Sequence, residues 1–137
     1  MSGNLDLVRS ICAAWEQGDF SHSAEWADPE IEFVIADGPS PGSWRGLVRM
    51  EDGWRDFLGA WQDARQDTEG YRELDDERLL VLTRLNARGK TSGVNVAQAG
   101  TRQAGLFHVR HGKVTRLVYY LDRDHALADL GLAPEGE

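Results

Sequence analysis

Residues 78–122 read RLLVLTRLNARGKTSGVNVAQAGTRQAGLFHVRHGKVTRLVYYLD. Val, Leu, Thr, Phe and Tyr fill three runs, 78–87, 93–110 and 113–121, and Gly89, Gly93 and His111-Gly112 punctuate them. That composition is a strand signature. A two-residue break such as His111-Gly112 between two β-rich runs reads as a tight hairpin turn. Strands of about ten residues or more, against the usual five or six, imply a strongly curved sheet. Val94 and Val96 have even parity while Phe107 and Val109 have odd parity. Such a phase slip marks a β-bulge, for which Gly100 and Gly105 are the candidate hosts. In the last run Leu117, Tyr119 and Leu121 form one face, Val118 and Tyr120 the other. With both faces apolar, one is expected to meet helices and the other a second subunit. A curved sheet with helices on its hollow side makes a pocket, so the pattern points to a ligand site.

Working back from this hairpin, residues 68–74 read as a strand joined to it by Asp75-Asp76-Glu77. Residues 46–65 carry a helical period, with Met50, Trp54, Phe57, Leu58 and Trp61 as an aromatic stripe. In residues 30–37, Ile31, Phe33 and Ile35 share one strand face, and Asp37 has the same parity. The Gly- and Pro-rich residues 38–43 predict a loop carrying Trp44. At the start, Asn4 is the expected cap of a helix along Leu5, Val8, Ile11, Cys12 and Trp15, ended by Gly18-Asp19. A short helix over residues 21–27 stops at Asp28-Pro29. At the far end Asp122 caps a last helix, and Gly131 and Leu132 fit a Schellman stop with Leu132 folded back on Leu127; the tail after Pro134 is expected to fray. Helices followed by long strands give an α+β order.

The 137 residues suit one domain, with no internal repeat or linker. Lys and Arg number 15 against 23 Asp and Glu, a net charge of −8. That balance repels phosphate backbones and anionic lipid, so neither nucleic acid nor membrane is an expected partner. No run approaches a membrane span and no basic-then-apolar leader begins the sequence, so a cytoplasmic location is expected. Cys12 has no second cysteine to pair with and falls at a core position of the first helix. Five tryptophans suit a core or an aromatic-lined pocket.

Several short stretches in this order resemble the SnoaL-like branch of the nuclear-transport-factor-2-like superfamily. They are Trp15 with Gly18-Asp19-Phe20, Asp28-Pro29-Glu30-Ile31-Glu32-Phe33, Trp44-Arg45-Gly46, and Gly112-Lys113-Val114 before Tyr120-Leu121-Asp122-Arg123. The resemblance covers about residues 5–132. It implies a cone-shaped α+β barrel, a curved mostly antiparallel sheet wrapped around three to four helices, with a deep interior pocket and frequent homodimers; the apolar outer face of the last strand makes the outer sheet face the expected homodimer contact. It implies no single activity, because this fold hosts isomerases, cyclases, hydrolases and binding modules. The chain departs from the family's catalytic patterns. Where ketosteroid isomerases carry a base on the first strand it has Phe33 or Val34, and Tyr119 stands where limonene epoxide hydrolases carry an acidic residue. Leu85 and Ala87 fall where those hydrolases carry Arg and Asp.

The candidate catalytic residues are therefore Asp37, Tyr119 and His108. Asp37, at the end of a buried strand, is a candidate general acid or base; the competing reading is an Asp-Gly turn whose carboxylate accepts backbone N–H bonds. Tyr119 is a candidate hydrogen-bond donor to a carbonyl or enolate, against a satisfied core tyrosine. His108 has a suitable pKa but the opposite parity to Phe107 and Val109, facing outward. Asn95 and Gln98 are candidate orienting groups or mere strand-end residues. The expected pocket lining is Trp15, Phe33, Ile35, Trp44, Trp54, Phe57, Trp61 and Phe107, with Trp44 as a gate. No paired His or Cys stands at metal-ligand spacing, and no dinucleotide or phosphate-binding motif occurs, so no metal or cofactor is expected. Two functions fit: a cofactor-independent isomerase- or cyclase-type enzyme acting on a small apolar polyketide- or steroid-like molecule, or a non-catalytic ligand-binding or dimeric interaction module.

Overall fold

The computed structural model describes residues 3–17, 19, 23–37, 41–58, 61–89 and 102–132, and gives only the backbone at 23, 24, 54, 56–58, 61–66 and 85–89. Helix α1 (Gly3–Glu16) leads to a single turn, α2 (Ser23–Trp26), and then strand β1 (Ala27–Ile35). Strand β2 (Gly42–Arg45), helix α3 (Leu47–Leu58) and strands β3 (Trp61–Glu73), β4 (Arg78–Gly89), β5 (Arg102–Arg110) and β6 (Lys113–Tyr120) follow, and α4 (Arg123–Asp129) ends the fold. The six strands form one sheet in the order β2-β1-β6-β5-β4-β3. All neighbours are antiparallel except β1 and β6, which run parallel. The architecture is α+β, a mostly antiparallel sheet with helices packed on it.

Local chemistry sets the turns. His111 and Gly112 both take positive φ, 55° and 75°. That is the backbone a type I′ hairpin requires, and it matches the twist of the flanking strands. The β3–β4 turn is closed by Asp75, whose Oδ1 accepts from the backbone N–H of Glu77 and of Arg78, both at 2.9 Å. Asp122 caps α4, its side chain accepting from the Asp124 N–H. Leu132 N–H donates to Leu127 O at 2.8 Å and Gly131 N–H to Ala128 O at 3.2 Å, the paired bonds of a Schellman stop.

Several boundaries differ from the expectations above. The aromatic stripe does not run to residue 65: α3 ends at Leu58, and Trp61 opens β3, paired with Gly89 of β4. The periods of helix and strand coincide over so few residues, and the long β3–β4 ladder decides between them. Trp44 is not on a loop. It belongs to β2, whose short ladder places it directly opposite Phe33. Asn4 lies within α1 and donates its amide to Asp76 O at 2.7 Å. The strand expected from residue 30 begins at Ala27, and Pro29 falls where the β1–β6 register shifts, so no ladder donor is lost there.

The bulge in the long hairpin is not at Gly105, which pairs regularly with Val81 and Tyr119. The register shifts instead between His108 and Val109, where β6 carries the extra residue Thr115. This puts Val114 and Leu117, three apart, on the same buried side. Gly100 and the first part of the expected strand, residues 93–101, lie outside the described residues, as do Asn95 and Gln98.

Two apolar cores flank the sheet. On the inner side Val8, Ile11 and Trp15 of α1, Trp26 of α2 and Met50 of α3 pack on Ile31, Phe33, Leu79, Val81, Phe107 and Leu117. On the outer side Ala126 and Leu127 of α4 pack with Leu80, Leu82, Leu106, Val118 and Tyr120. The second apolar face of β6, expected to meet another subunit, is thus covered by the chain's own last helix.

Candidate functional site: the inner face of the sheet

From the turn end outward, the inner face climbs in rungs. Val109 with Val114 is followed by Leu79, Phe107 and Leu117, then Val81, Gly105 and Tyr119, then Thr68, Thr83 and Gln103. The lower rungs are hydrocarbon and aromatic. The top rungs are hydroxyls and an amide. Among the described residues, the inner positions of β1, β4, β5 and β6 hold no carboxylate and no imidazole.

Tyr119 is 1% exposed, and its hydroxyl donates to Oε1 of Gln103, itself 1% exposed. The two are diagonal neighbours across β5 and β6, within reach of a long side chain. Gly105, directly opposite Tyr119, has no side chain in the way. Thr83 stands directly opposite Gln103 and is 2% exposed; its Oγ1 finds no hydrogen-bond partner among the described residues. Thr68, opposite Thr83, lies beside the Cys12 thiol and the Tyr71 hydroxyl.

Behind this polar end, on the outer side, sits a buried cation. Arg123, 3% exposed at the start of α4, donates from Nη2 to Thr83 O at 2.6 Å and from Nε to Gln103 O at 3.1 Å. Nη2 also meets Glu69 Oε1 at 2.6 Å, while Arg84 Nε holds Glu69 Oε2 at 3.0 Å. Glu69, next to inner-facing Thr68 and so on the outer face, is the extra residue of a bulge between Thr68 and Gly70 on β3. The hydrogen bond from Arg123, reinforced by Arg84, holds the Glu69 carboxyl below its ordinary value against the opposing effect of burial. The guanidinium therefore braces the backbone of the two residues, Thr83 and Gln103, whose side chains make the polar end.

Of the residues singled out from sequence, Trp15, Phe33, Ile35, Phe107 and Tyr119 share the inner core, with Trp44 packed against it. Trp15 lies 5.9 Å from Phe107 and 6.2 Å from Trp26, centroid to centroid. Trp44 sits 5.6 Å from Phe33, and its indole presses on Gly53 of α3, where an added Cβ would come within 2.7 Å of a ring carbon. The side chains of Trp54, Phe57 and Trp61 lie outside the described residues.

Asp37 is not with Tyr119 on the inner face. Its Oδ1 accepts from Leu121 N–H at 2.6 Å and its Oδ2 meets His125 Nδ1 at 2.7 Å, tying the end of β1 to α4. His125 also packs edge-on against Tyr120 and lies 3.5 Å from Asp129 Oδ2. The hydrogen bond to Asp37 raises the His125 pKa. His108 stands between Arg78 and Arg116 on the other side of the sheet from Phe107. Burial, with those two cations, pushes its pKa down. Cys12 is a core residue whose thiol burial raises to about 11, so it is protonated at neutral pH. Among the described residues no three His, Cys, Asp or Glu side chains gather as a metal site, and no helix is long and apolar enough to cross a membrane.

Sequence reading missed Gln103, Thr83 and Arg123. The first two carried a usable signal: Gln103 has the parity of Phe107 and Val109, and Thr83 that of Leu79 and Val81, so both are polar residues at buried-face positions. Arg123 stood only in the family-resemblance stretch Tyr120-Leu121-Asp122-Arg123, with nothing to mark its role, because its partners lie 20, 40 and 54 positions away.

The fold recurs widely among solved structures. A nuclear-transport-factor-2-like protein of unknown function from Burkholderia pseudomallei superposes with a TM-score of 0.74 at 16% identity, over 93% of this chain and 97% of that one. A candidate SnoaL-like polyketide cyclase from Jannaschia sp. gives 0.73 at 13% identity, over 97% and 94%. TerC, crystallised with polyporic acid, gives 0.70 at 18% identity, over 94% and 98%. No curated protein sequence matches the chain. A family model does: the SnoaL-like domain matches residues 8–117, from the first buried residue of α1 to the middle of β6. The chain belongs to the SnoaL-like domain family.

Proposed function

We propose that the inner face binds a small, mostly apolar ring-containing molecule, polyketide- or steroid-like, and orients it by an oxygen placed at the Tyr119–Gln103 pair. The observation that carries this reading is that pair itself, a buried hydroxyl and amide at the polar end of a mostly apolar surface. Small-molecule sites combine apolar walls with a few placed polar groups. The co-crystal of TerC with polyporic acid supplies a first probe compound. In the enzyme form of the proposal the reaction is a cofactor-independent isomerisation or cyclisation. Tyr119 turns its hydroxyl from Gln103 to the ligand's carbonyl and stabilises the enolate that forms as a water entering with the ligand takes the α-proton and returns it at the conjugated carbon. Asp37, held at the rim by Leu121 and His125, and His108, on the outer face, take no proton in this scheme. A second reading, a non-catalytic binding module, is favoured by the lack of an inner-face carboxylate or imidazole among the described residues. A homodimer through the outer face of β3 and β4, beyond the footing of α4, is part of the same proposal and is checked by light scattering of the purified chain.

Tyr119→Phe separates the readings. With a fused-ring β,γ-unsaturated ketone followed by the absorbance of its conjugated product, the enzyme form expects turnover that falls about 100-fold in the variant. Binding measured by calorimetry should weaken far less. Binding without turnover in the unaltered protein leaves the binding module. No binding of such ketones or of polyporic acid defeats both.

A further inference from the structure

The polar end of the inner face offers more hydrogen-bonding groups than the Tyr119–Gln103 pair uses. Thr83 is 2% exposed, stands directly opposite Gln103, and carries a hydroxyl with no partner among the described residues. Buried polar groups are paired in the great majority of cases, and an unpaired one is a cost the fold must offset. Valine has nearly the same shape without the hydroxyl and would spare the fold that cost. Its position is also fixed: Arg123 grips the Thr83 carbonyl at 2.6 Å and that of Gln103 at 3.1 Å, so the two side chains keep a constant spacing of about 5 Å between strands.

We propose that Thr83 is a specificity-determining ligand contact. Its hydroxyl holds a second oxygen of the ligand, on the same ring edge as the oxygen received at Tyr119–Gln103. The ligand class this selects is a ring compound with two neighbouring oxygens, a hydroxyquinone or hydroxyketone, over its mono-oxygenated or unsubstituted analogue. The assignment deepens the inner-face binding reading and rests on it. Thr68, the next hydroxyl along the row, extends the same polar edge towards β3.

The test uses two probes, 2-hydroxy-1,4-naphthoquinone and 1,4-naphthoquinone, titrated calorimetrically into the unaltered protein, Thr83→Val, Thr83→Ser and Tyr119→Phe. Thr83→Val is expected to lose about tenfold in affinity for the hydroxyquinone and less than twofold for the parent quinone, with Thr83→Ser close to the unaltered protein. Without ligand, Thr83→Val is expected to melt at least about 3 °C higher, because a methyl replaces a desolvated hydroxyl. A lower melting point, or an equal loss for both probes, overturns the role of Thr83 while leaving the pocket reading intact. If Tyr119→Phe changes neither affinity, or neither probe binds the unaltered protein, the pocket reading fails and this assignment falls with it.

Discussion

Replacing Arg123 by methionine tests whether the polar end is braced from behind. The substitution keeps a long apolar stem but removes the donors that reach Thr83 O, Gln103 O and Glu69. Each hydrogen bond lost from the charged guanidinium costs about 1.5–3 kcal/mol. Glu69 adds little, because its side chain is 34% exposed and keeps Arg84 as a partner. Methionine recovers some packing, so a net loss of about 3 kcal/mol is expected, a large share of the 5–15 kcal/mol typical of a domain. With an unfolding entropy of about 2.1 cal/mol/K per residue, 137 residues convert this to a drop of roughly 10 °C in Tm. Circular dichroism melts at pH 7 measure it. Glu69→Gln, the control, should fall by less than about 3 °C. Arg123→Lys should lie between, since an ammonium cannot serve two carbonyls and a carboxylate with a fixed fork. A loss in Arg123→Met no larger than in Glu69→Gln would refute the bracing role.

Gly53→Ala should destabilise although alanine is the better helix former: a gain of about 1 kcal/mol in propensity is outweighed by about 1–3 kcal/mol of overpacking, because the added Cβ meets the Trp44 ring at 2.7 Å. A melt showing higher stability would mean that the indole moves freely. The Asp37–His125 contact raises the histidine pKa, so its stabilisation is fully present below the ordinary value of 6.5 and is lost as pH rises through the raised one. Asp37→Asn should therefore cost most near pH 6 and least near pH 9, with the His125 ring titrating lower by NMR. For Glu69 the sign is opposite: its contribution is present above the ordinary 4.5 and disappears as pH falls through the lowered folded value, so Arg123→Met should differ least from the parent in acid. Asp122→Ala should cost about 1 kcal/mol, read in the same melts, by removing the α4 cap.

The sequence by itself determined those features whose cause lies within a few residues. Alternation in β1 put Ile31, Phe33 and Ile35 on the core side, the His111-Gly112 pair specified the hairpin, and Asp122 with Gly131 and Leu132 delimited α4. Family membership was also legible, from short stretches in a fixed order. Tertiary structure alone decided what depends on partners distant in the chain. Whether Trp61 continues a helix or opens a strand is settled by its ladder with β4, and whether Trp44 lies in a loop by its pairing with Phe33. The outer face of β6 is assigned by where α4 lands, and the carboxylate of Asp37 by a histidine 88 positions away. Parity tells which face a side chain takes, but not which side chain meets it there. A polar residue at a buried position such as Gln103 acquires its meaning only when folding brings Tyr119 and Arg123 to it.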